Sequence, residues 1–446
     1  MKWLGYGPEI RQARRDAYRE EYKLMTALMM MDGMTSITVG SKGEGLTSIY
    51  ESDKNIFFVH NDIICLEDGI TVCNFPKEMT VFRSCSRMRY SGYTRLLLEI
   101  LRSDSYSPAH EFVCEVVCFA LRDDGFGRKL LSSGKYFNKL SILQPSTNTV
   151  LHDRDGPSLS YSVGALNIDK IYPLRYYCPS IMQKWAARPR QWPPTNVVQK
   201  VVSLGAYLTP VGFKGSEYQD VEWRVCFDTG EIELVCNLNA TQVNLYVLLK
   251  MVTNDVLKPR RKEVTSFTIK NIVLWMAEKN SQTLFHETSL IKWLHEGLNA
   301  LKAAIVTKEL PYFMIPERNL MAESDLKYEQ QCRWILTLTE MLNEGPRMIL
   351  RLPKIRRSIV AHPEPFRWYS KMRMELEMVG LRYETRRTLC TYHRPDEKWV
   401  VNYSDVILQE LQIRTDEIVI EVFLRMIMEG SQATTSQDVL ESMLKN

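Results

Sequence analysis

Residues 9–31, EIRQARRDAYREEYKLMTALMMM, set Ile10, Ala13, Ala17, Leu24 and Leu28 at helical spacings. The pattern predicts one long helix that starts after Pro8 and stops at Asp32-Gly33. From residue 35 to about 74 the periodicity changes. SITVG, NIFFVH, DIICLE and ITVCNF are β-branched or aromatic runs punctuated by Gly, Asp and Asn, which predicts short strands. A second strand-rich block covers SLSYSVGALNIDKIYPLRYY and continues through AYLTPVGF to VEWRVCF, with a more helical stretch at roughly 109–131 between the two blocks. One mixed sheet with helices packed on it is the expected arrangement. Beyond Asn239 the pattern is helical almost without interruption, in TQVNLYVLLKMVTNDVL, SFTIKNIVLWMAEKN, SLIKWLHEGLNALKAAIV and YEQQCRWILTLTEMLN. Their apolar stripes read as core faces. Pro and Gly in NEGPRMILRLPKIRR and AHPEPF mark a further boundary near residue 350, and EVFLRMIMEG and SQDVLESMLKN read as helices beyond it.

Composition changes this picture little. A chain of 446 residues with 45% hydrophobic and 10% aromatic residues is that of a folded protein of two or three domains, not a disordered one. A formal charge of +4 means that affinity for nucleic acid has to come from local basic surface. The ten cysteines form no C-x-x-C and no regular spacing, which predicts reduced thiols. MKWLGYGPEI lacks the apolar core of a signal peptide, and no run of about 18 apolar residues is present to cross a bilayer. A soluble cytoplasmic protein with no membrane insertion is expected.

Candidate chemistry begins at VGSKGEGLTSIYESDKNIFFV, residues 39–59. Gly40 and Ser41 precede a strand that carries Asp53 and, two residues on, Asn55, and side chains at i and i+2 of a strand share a face. A Gly-Ser pair alone is most often an ordinary turn, and Asp53 alone a residue at a strand end. Arg11, Arg15, Arg19 and Lys23 recur every four residues along the first helix, and Lys258, Arg260 and Arg261 lie in KPRRK. A run of this kind is usually a solvated face, here nearly balanced by Glu9, Asp16, Glu20 and Glu21; the alternative is a sequence-blind contact with phosphates.

Three separated segments resemble, in order, the signatures of the male-abnormal (Mab) domain superfamily, which includes cyclic GMP-AMP synthase and related animal receptors. They are GSKGEGLTSIYESDKNI; DGPSLSYSVGALNIDKIYPL with VEWRVCFDTGEIELV; and SFTIKNIVLWMAEKN with LPYFMIPERNLMA. The resemblance covers about residues 1–345 and is closest to molluscan paralogues. It implies an α+β, bilobal nucleotidyltransferase fold. A mixed β-sheet lobe with a long N-terminal spine helix (1–238) would join a helical lobe (239–350), and 351–446 would be an additional helical tail. Nucleotides would lie between the lobes.

In such proteins two carboxylates one residue apart and a third from a neighbouring strand hold Mg²⁺ (or Mn²⁺). Asp53 matches the first and Asp169 the third, while Asn55 stands at the second, so these three are the implied catalytic and metal positions. An amide is a poorer ligand than a carboxylate for a hard dication. The resemblance also assigns nucleotide contacts to Gly40, Ser41, Arg224, Lys250, Ser266 and Phe267. Ile171, Cys226 and Asp228 depart from its base-contacting pattern. The zinc-binding insert of the DNA sensor is missing, and Cys236 is the sole possible ligand there, so no zinc is expected. Two functions follow. One is an enzyme making a cyclic dinucleotide from ATP and GTP when triggered by double-stranded nucleic acid, RNA favoured over DNA. The other is a catalytically inactive scaffold that binds nucleotide or nucleic acid.

Overall fold

Gly7-Pro8 opens helix α1 (Pro8–Leu28), where the missing proline N–H is no loss because the first turn has no intrahelical acceptor for it. In this computed structural model the described residues are 1–29, 33–49, 51–72, 79–85, 90–102, 108–142, 150–152, 156–163, 166–259, 263–361, 363–393 and 399–430, with single positions beyond. After α1 the chain forms β1 (Met34–Val39), a single turn α2 (Gly40–Gly43), β2 (Lys54–His60), β3 (Ile63–Leu66), β4 (Thr80–Ser84) and β5 (Tyr93–Ile100). Next come α3 (Pro108–Ala120), β6 (Leu121–Asp123), β7 (Lys129–Leu131), α4 (Ser133–Ser141), β8 (Val150–Leu151), β9 (Leu159–Val163), β10 (Leu166–Ile171) and β11 (Leu174–Tyr177). Helices α5 (Pro179–Ala186) and α6 (Thr195–Leu204) lead to β12 (Ala206–Thr209), β13 (Glu222–Cys226) and α7 (Asp228–Cys236).

The strands form two main sheets and not the single one expected. One has the order β1-β2-β10-β9-β8; the other runs β13-β12-β11-β3-β4-β5-β7-β6, and β13 also pairs with β5, so its first six strands close on themselves. The two blocks of sequence contribute to both. β2 lies parallel to β10, and β3, which follows it after a two-residue break, lies parallel to β11, which follows β10. Pro173 sits in that second break and has no N–H to give to a ladder, so the chain leaves one sheet and enters the other there.

The helix expected through residue 131 ends at Ala120. Asp123 and Asp124 each accept a hydrogen bond from the backbone two residues on, at Gly125 and Phe126, both 2.8 Å. Gly125 and Gly127 take positive φ, 84° and 79°, and the segment folds as the β6–β7 hairpin. Of the expected strand ITVCNF, residues 70–72 are not in a strand and the rest lies outside the described residues. Every described cysteine is a free thiol.

The helical half follows the sequence pattern closely. Helix α8 (Ala240–Met251) opens on a reciprocal cap: Asn239 Oδ1 accepts from the Gln242 N–H, and Gln242 Oε1 from the Asn239 N–H, each 2.9 Å. It runs into a π-helical turn (Val252–Leu257) that Lys258 ends in the left-handed conformation, φ 50°. Helices α9 (Ser266–Lys279), α10 (Leu290–Thr307) and α11 (Tyr328–Asn343) pack with it into one apolar core continuous with that of the sheets. Beyond a 3₁₀ segment lie α12 (Pro353–Val360), α13 (Pro363–Leu389), the small hairpin β14 (Thr391–His393) and β15 (Trp399–Val401), and α14 (Val406–Met428). Helices α13 and α14 share their own apolar cluster around Leu376, Val379, Ile418 and Val422. On its other side α13 packs against α1, where Arg14 and Glu377 form a buried ion pair. Among the described residues no helix is long and apolar enough to cross a membrane.

Candidate functional site

Strand register gathers the acidic candidates on one face. Asn55 is paired with Val39 across the antiparallel β1–β2 ladder and with Asp169 across the parallel β2–β10 ladder. Asp53, Asn55 and Phe57 alternate onto the same side, as do Asp169 and Ile171 on the neighbouring strand. Phe57 and Ile171 line a cleft of about 550 Å³, so this is the cleft-facing side. The opposite face packs on α1, where Thr26 exchanges hydrogen bonds with the Ser36 backbone and Lys54 pairs with Glu21. Asp53 is exposed just before β2, whereas Asp169 is half-buried, with its Oδ1 accepting the Ser160 hydroxyl at 2.5 Å.

Gly40 has φ 66°, and a Cβ built on it would lie 2.9 Å from Asn55 Nδ2. Only glycine satisfies both conditions. Gly40→Ala is expected to cost about 1–2 kcal/mol for the left-handed backbone alone, with Asn55 displaced in addition, as read by equilibrium denaturation. Ser41, the next residue, accepts a hydrogen bond from Lys250 Nζ at 3.2 Å. That contact joins the turn after β1 to the last turn of α8, 209 positions away. Burial lowers the Lys250 pKa, with Glu51 and Glu44 partly offsetting the effect.

The cleft runs between β10, β12 and β13 on one side and the start of α9 on the other, and Arg224 and Phe267 both line it. Arg224 is half-buried on β13 beside Glu323. The Phe267 ring rests against Tyr312 with centroids 5.4 Å apart. Asp228, at the start of α7, has its pKa pushed up by burial and then by Glu231, with Lys270 partly offsetting the effect. Ser266 is exposed, and neither it nor Gly40, Ser41, Asp53, Asn55, Asp169 or Lys250 is among the residues lining the cleft.

The basic stripe of α1 is corrected in part. Arg11 is buried, so it does not belong to the solvent-facing stripe. Arg15 is half-buried, Arg19 pairs with Asp16 at 3.2 Å, and Lys23 is exposed. Lys258 is exposed, while Arg260 and Arg261 lie outside the described residues.

Sequence reasoning missed a buried ionic knot beside the cleft. Lys270 on α9 stands 2.7 Å from both Glu44, just after α2, and Glu231 on α7. Tyr312 gives its hydroxyl to Glu231 at 2.6 Å. These residues come from four separate segments with no motif between them, so only the fold brings them together. Among the described residues no group of three or more His, Cys, Asp or Glu is arranged to hold a metal.

Residues 242–337, from α8 through most of α11, match the family model of the Mab-21 protein HhH/H2TH-like domain. The match supports placement in the Mab-21 superfamily and, with the mixed sheets before it and the helices after it, suggests a nucleotidyltransferase-like protein. No curated protein matches the chain.

Proposed function

We propose that this chain is a cyclic GMP-AMP synthase-like receptor. It binds ATP and GTP in the cleft and joins them into a cyclic dinucleotide when double-stranded nucleic acid, RNA before DNA, engages its surface. The observation that carries the reading is the Ser41–Lys250 contact at 3.2 Å, which sets a hydroxyl and an ammonium together at a glycine turn that lies against Asn55 of β2. Such a pair suits phosphate oxygens: the turn offers backbone N–H groups, and the ammonium a point charge. Arg224 and Phe267 would take a base further along the cleft, the ring by stacking, which needs only its π face.

The donor set fits one divalent cation. Asp53 and Asp169 supply carboxylate oxygens and Asn55 an amide oxygen, and phosphates of a bound nucleotide would complete a shell of hard ligands. Mg²⁺ or Mn²⁺ held there would neutralise the triphosphate and lower the pKa of the attacking ribose hydroxyl. The protein's own part is orientation. Ser160 fixes the Asp169 carboxylate through its hydrogen bond, and Lys250 draws the triphosphate toward the turn. Attack of the ribose hydroxyl on an α-phosphate then expels pyrophosphate.

Asn55 favours a second reading, a receptor that retains nucleotide or nucleic acid without turnover. The two separate in one experiment. The protein is titrated with MgATP and with GTP, then incubated with labelled nucleotides, Mn²⁺ and double-stranded RNA or DNA. Lys250→Ala is expected to weaken MgATP binding about tenfold, the loss of one charge-assisted contact. No saturable nucleotide binding by the unmodified chain would overturn the proposal. Binding without product would leave the scaffold.

A further inference from the structure

We propose that Glu377, contributed by α13 from the C-terminal segment, is a positioning residue for the nucleotide site. It holds the 44–53 segment, which joins the Gly40-Ser41 turn to Asp53. The inference rests on the nucleotide reading of that turn. The family match ends at residue 337, so the clamp comes from outside the matched domain.

The segment has no regular structure among its described residues between α2 and β2, so its course is set by what grips it. Glu377 is 2% exposed, and one of its oxygens accepts the Ile49 N–H at 3.1 Å. The same carboxylate takes a two-pronged pair from Arg14, Nε to Oε1 at 2.8 Å and Nη2 to Oε2 at 2.7 Å. Arg14 in turn donates to the carbonyls of Gly5 at 2.8 Å and Gly45 at 3.4 Å. Ile49 is buried with Tyr18 of α1 and Leu381 of α13.

A second grip lies two residues further on. Glu51 accepts the Tyr6 hydroxyl at 2.6 Å, the Ser48 N–H at 3.2 Å and Lys354 of the C-terminal segment at 3.3 Å. Burial acts against its charge, but Lys354 and the Tyr6 hydrogen bond outweigh that and leave its pKa at about 2. The buried Lys42 donates to the Ser48 carbonyl and closes the segment from inside.

Each contact falls between two candidate site residues. Ser41 stands upstream and Asp53 downstream, and a shift of the intervening chain moves both relative to Lys250 and Asp169. A buried bidentate pair that also satisfies a backbone N–H has a single low-energy geometry, which is what a positioning contact requires. Coupling between the clamp and the cleft is reciprocal: a ligand held by Ser41 stiffens the segment, and a stiff segment favours the ligand.

The test uses the full chain. Glu377→Ala is compared with Val422→Ala, which opens a cavity between α13 and α14 away from the segment. Two readouts are taken: amide hydrogen exchange of residues 44–49 without ligand, and the Kd for MgATP. In Glu377→Ala we expect exchange about tenfold faster and MgATP binding about tenfold weaker. Val422→Ala should leave both within about twofold despite its lower melting temperature. Glu377→Gln, which keeps an oxygen for Ile49 but loses the ion pair, should fall between. Unchanged exchange in Glu377→Ala, or equal effects from Val422→Ala, would overturn the clamp. If the unmodified chain shows no saturable MgATP binding, the nucleotide reading falls, and loop exchange alone decides whether Glu377 holds the segment.

Discussion

Asn55→Asp is expected to raise Mg²⁺- or Mn²⁺-dependent nucleotidyl transfer about a hundredfold or more, the scale of one well-placed charge acting on a developing transition state. Asn55 sits opposite Asp169 in the ladder and two residues after Asp53, so the new carboxylate completes a three-acid set on a face that now has two. Without metal the same change is unfavourable, because a third negative charge joins two others. The variant should therefore melt lower than the parent in chelator and recover when Mn²⁺ is added, with a larger metal-induced rise than the parent shows. Product formation and metal-dependent melting are independent readouts. If neither differs between the parent and the Asn55→Asp variant, the β2–β10 face is not a cation site.

How much of this was legible in the sequence differs by element. The helices between residues 240 and 343 were readable because each carries apolar residues at three- and four-residue intervals over several turns, and their ends carry capping residues such as Asn239 and Thr265. The split into two sheets was not. Strand text says which face is apolar but not which strand pairs with which, and the change of sheet depends on a two-residue break at Tyr172-Pro173. The four basic residues of α1 do not share one exposed face, for a geometric reason. Steps of four residues advance about 40° beyond a full turn, so Arg11 and Lys23 diverge by about 120° around the helix. One is buried and the other exposed. In the candidate site, Gly40, Ser41 and Asp169 follow from the resemblance, and the structure sets Gly40 beside Asn55, Ser41 on Lys250 and Asp169 opposite Asn55. The Glu377 clamp and the Lys270 knot left no trace in local sequence, since each joins segments far apart in the chain.

The Lys270 knot supports the second large prediction. Lys270→Met keeps the unbranched apolar stem of the side chain but removes the ammonium that stands 2.7 Å from both Glu44 and Glu231. Those carboxylates are 0% and 2% exposed, and neither can reach water without opening the core. Removing one partner of a buried ionic group typically costs about 3–5 kcal/mol, far more than its net contribution, because the remaining charges are left uncompensated. In the parent, burial works against the Lys270 charge, but Glu231, Glu44 and then the neighbouring Tyr246 hold its pKa well above the ordinary value. A raised lysine pKa gives stability that is full below the unfolded value near 10.4 and is lost only as pH rises through the folded value, so this group leaves the parent level between pH 5 and 8. Lys270→Met leaves both carboxylates buried without their ammonium, so its denaturant midpoint at neutral pH should fall well below the parent's, and Lys270→Met with Glu231→Gln should lie closer to it. A loss under about 1 kcal/mol would mean that Glu44 and Glu231 do not depend on the Lys270 charge. Glu44 lies three residues after Ser41 and Lys270 four after Ser266, so the knot that sets stability also ties the Gly40-Ser41 turn to the N-terminal part of α9.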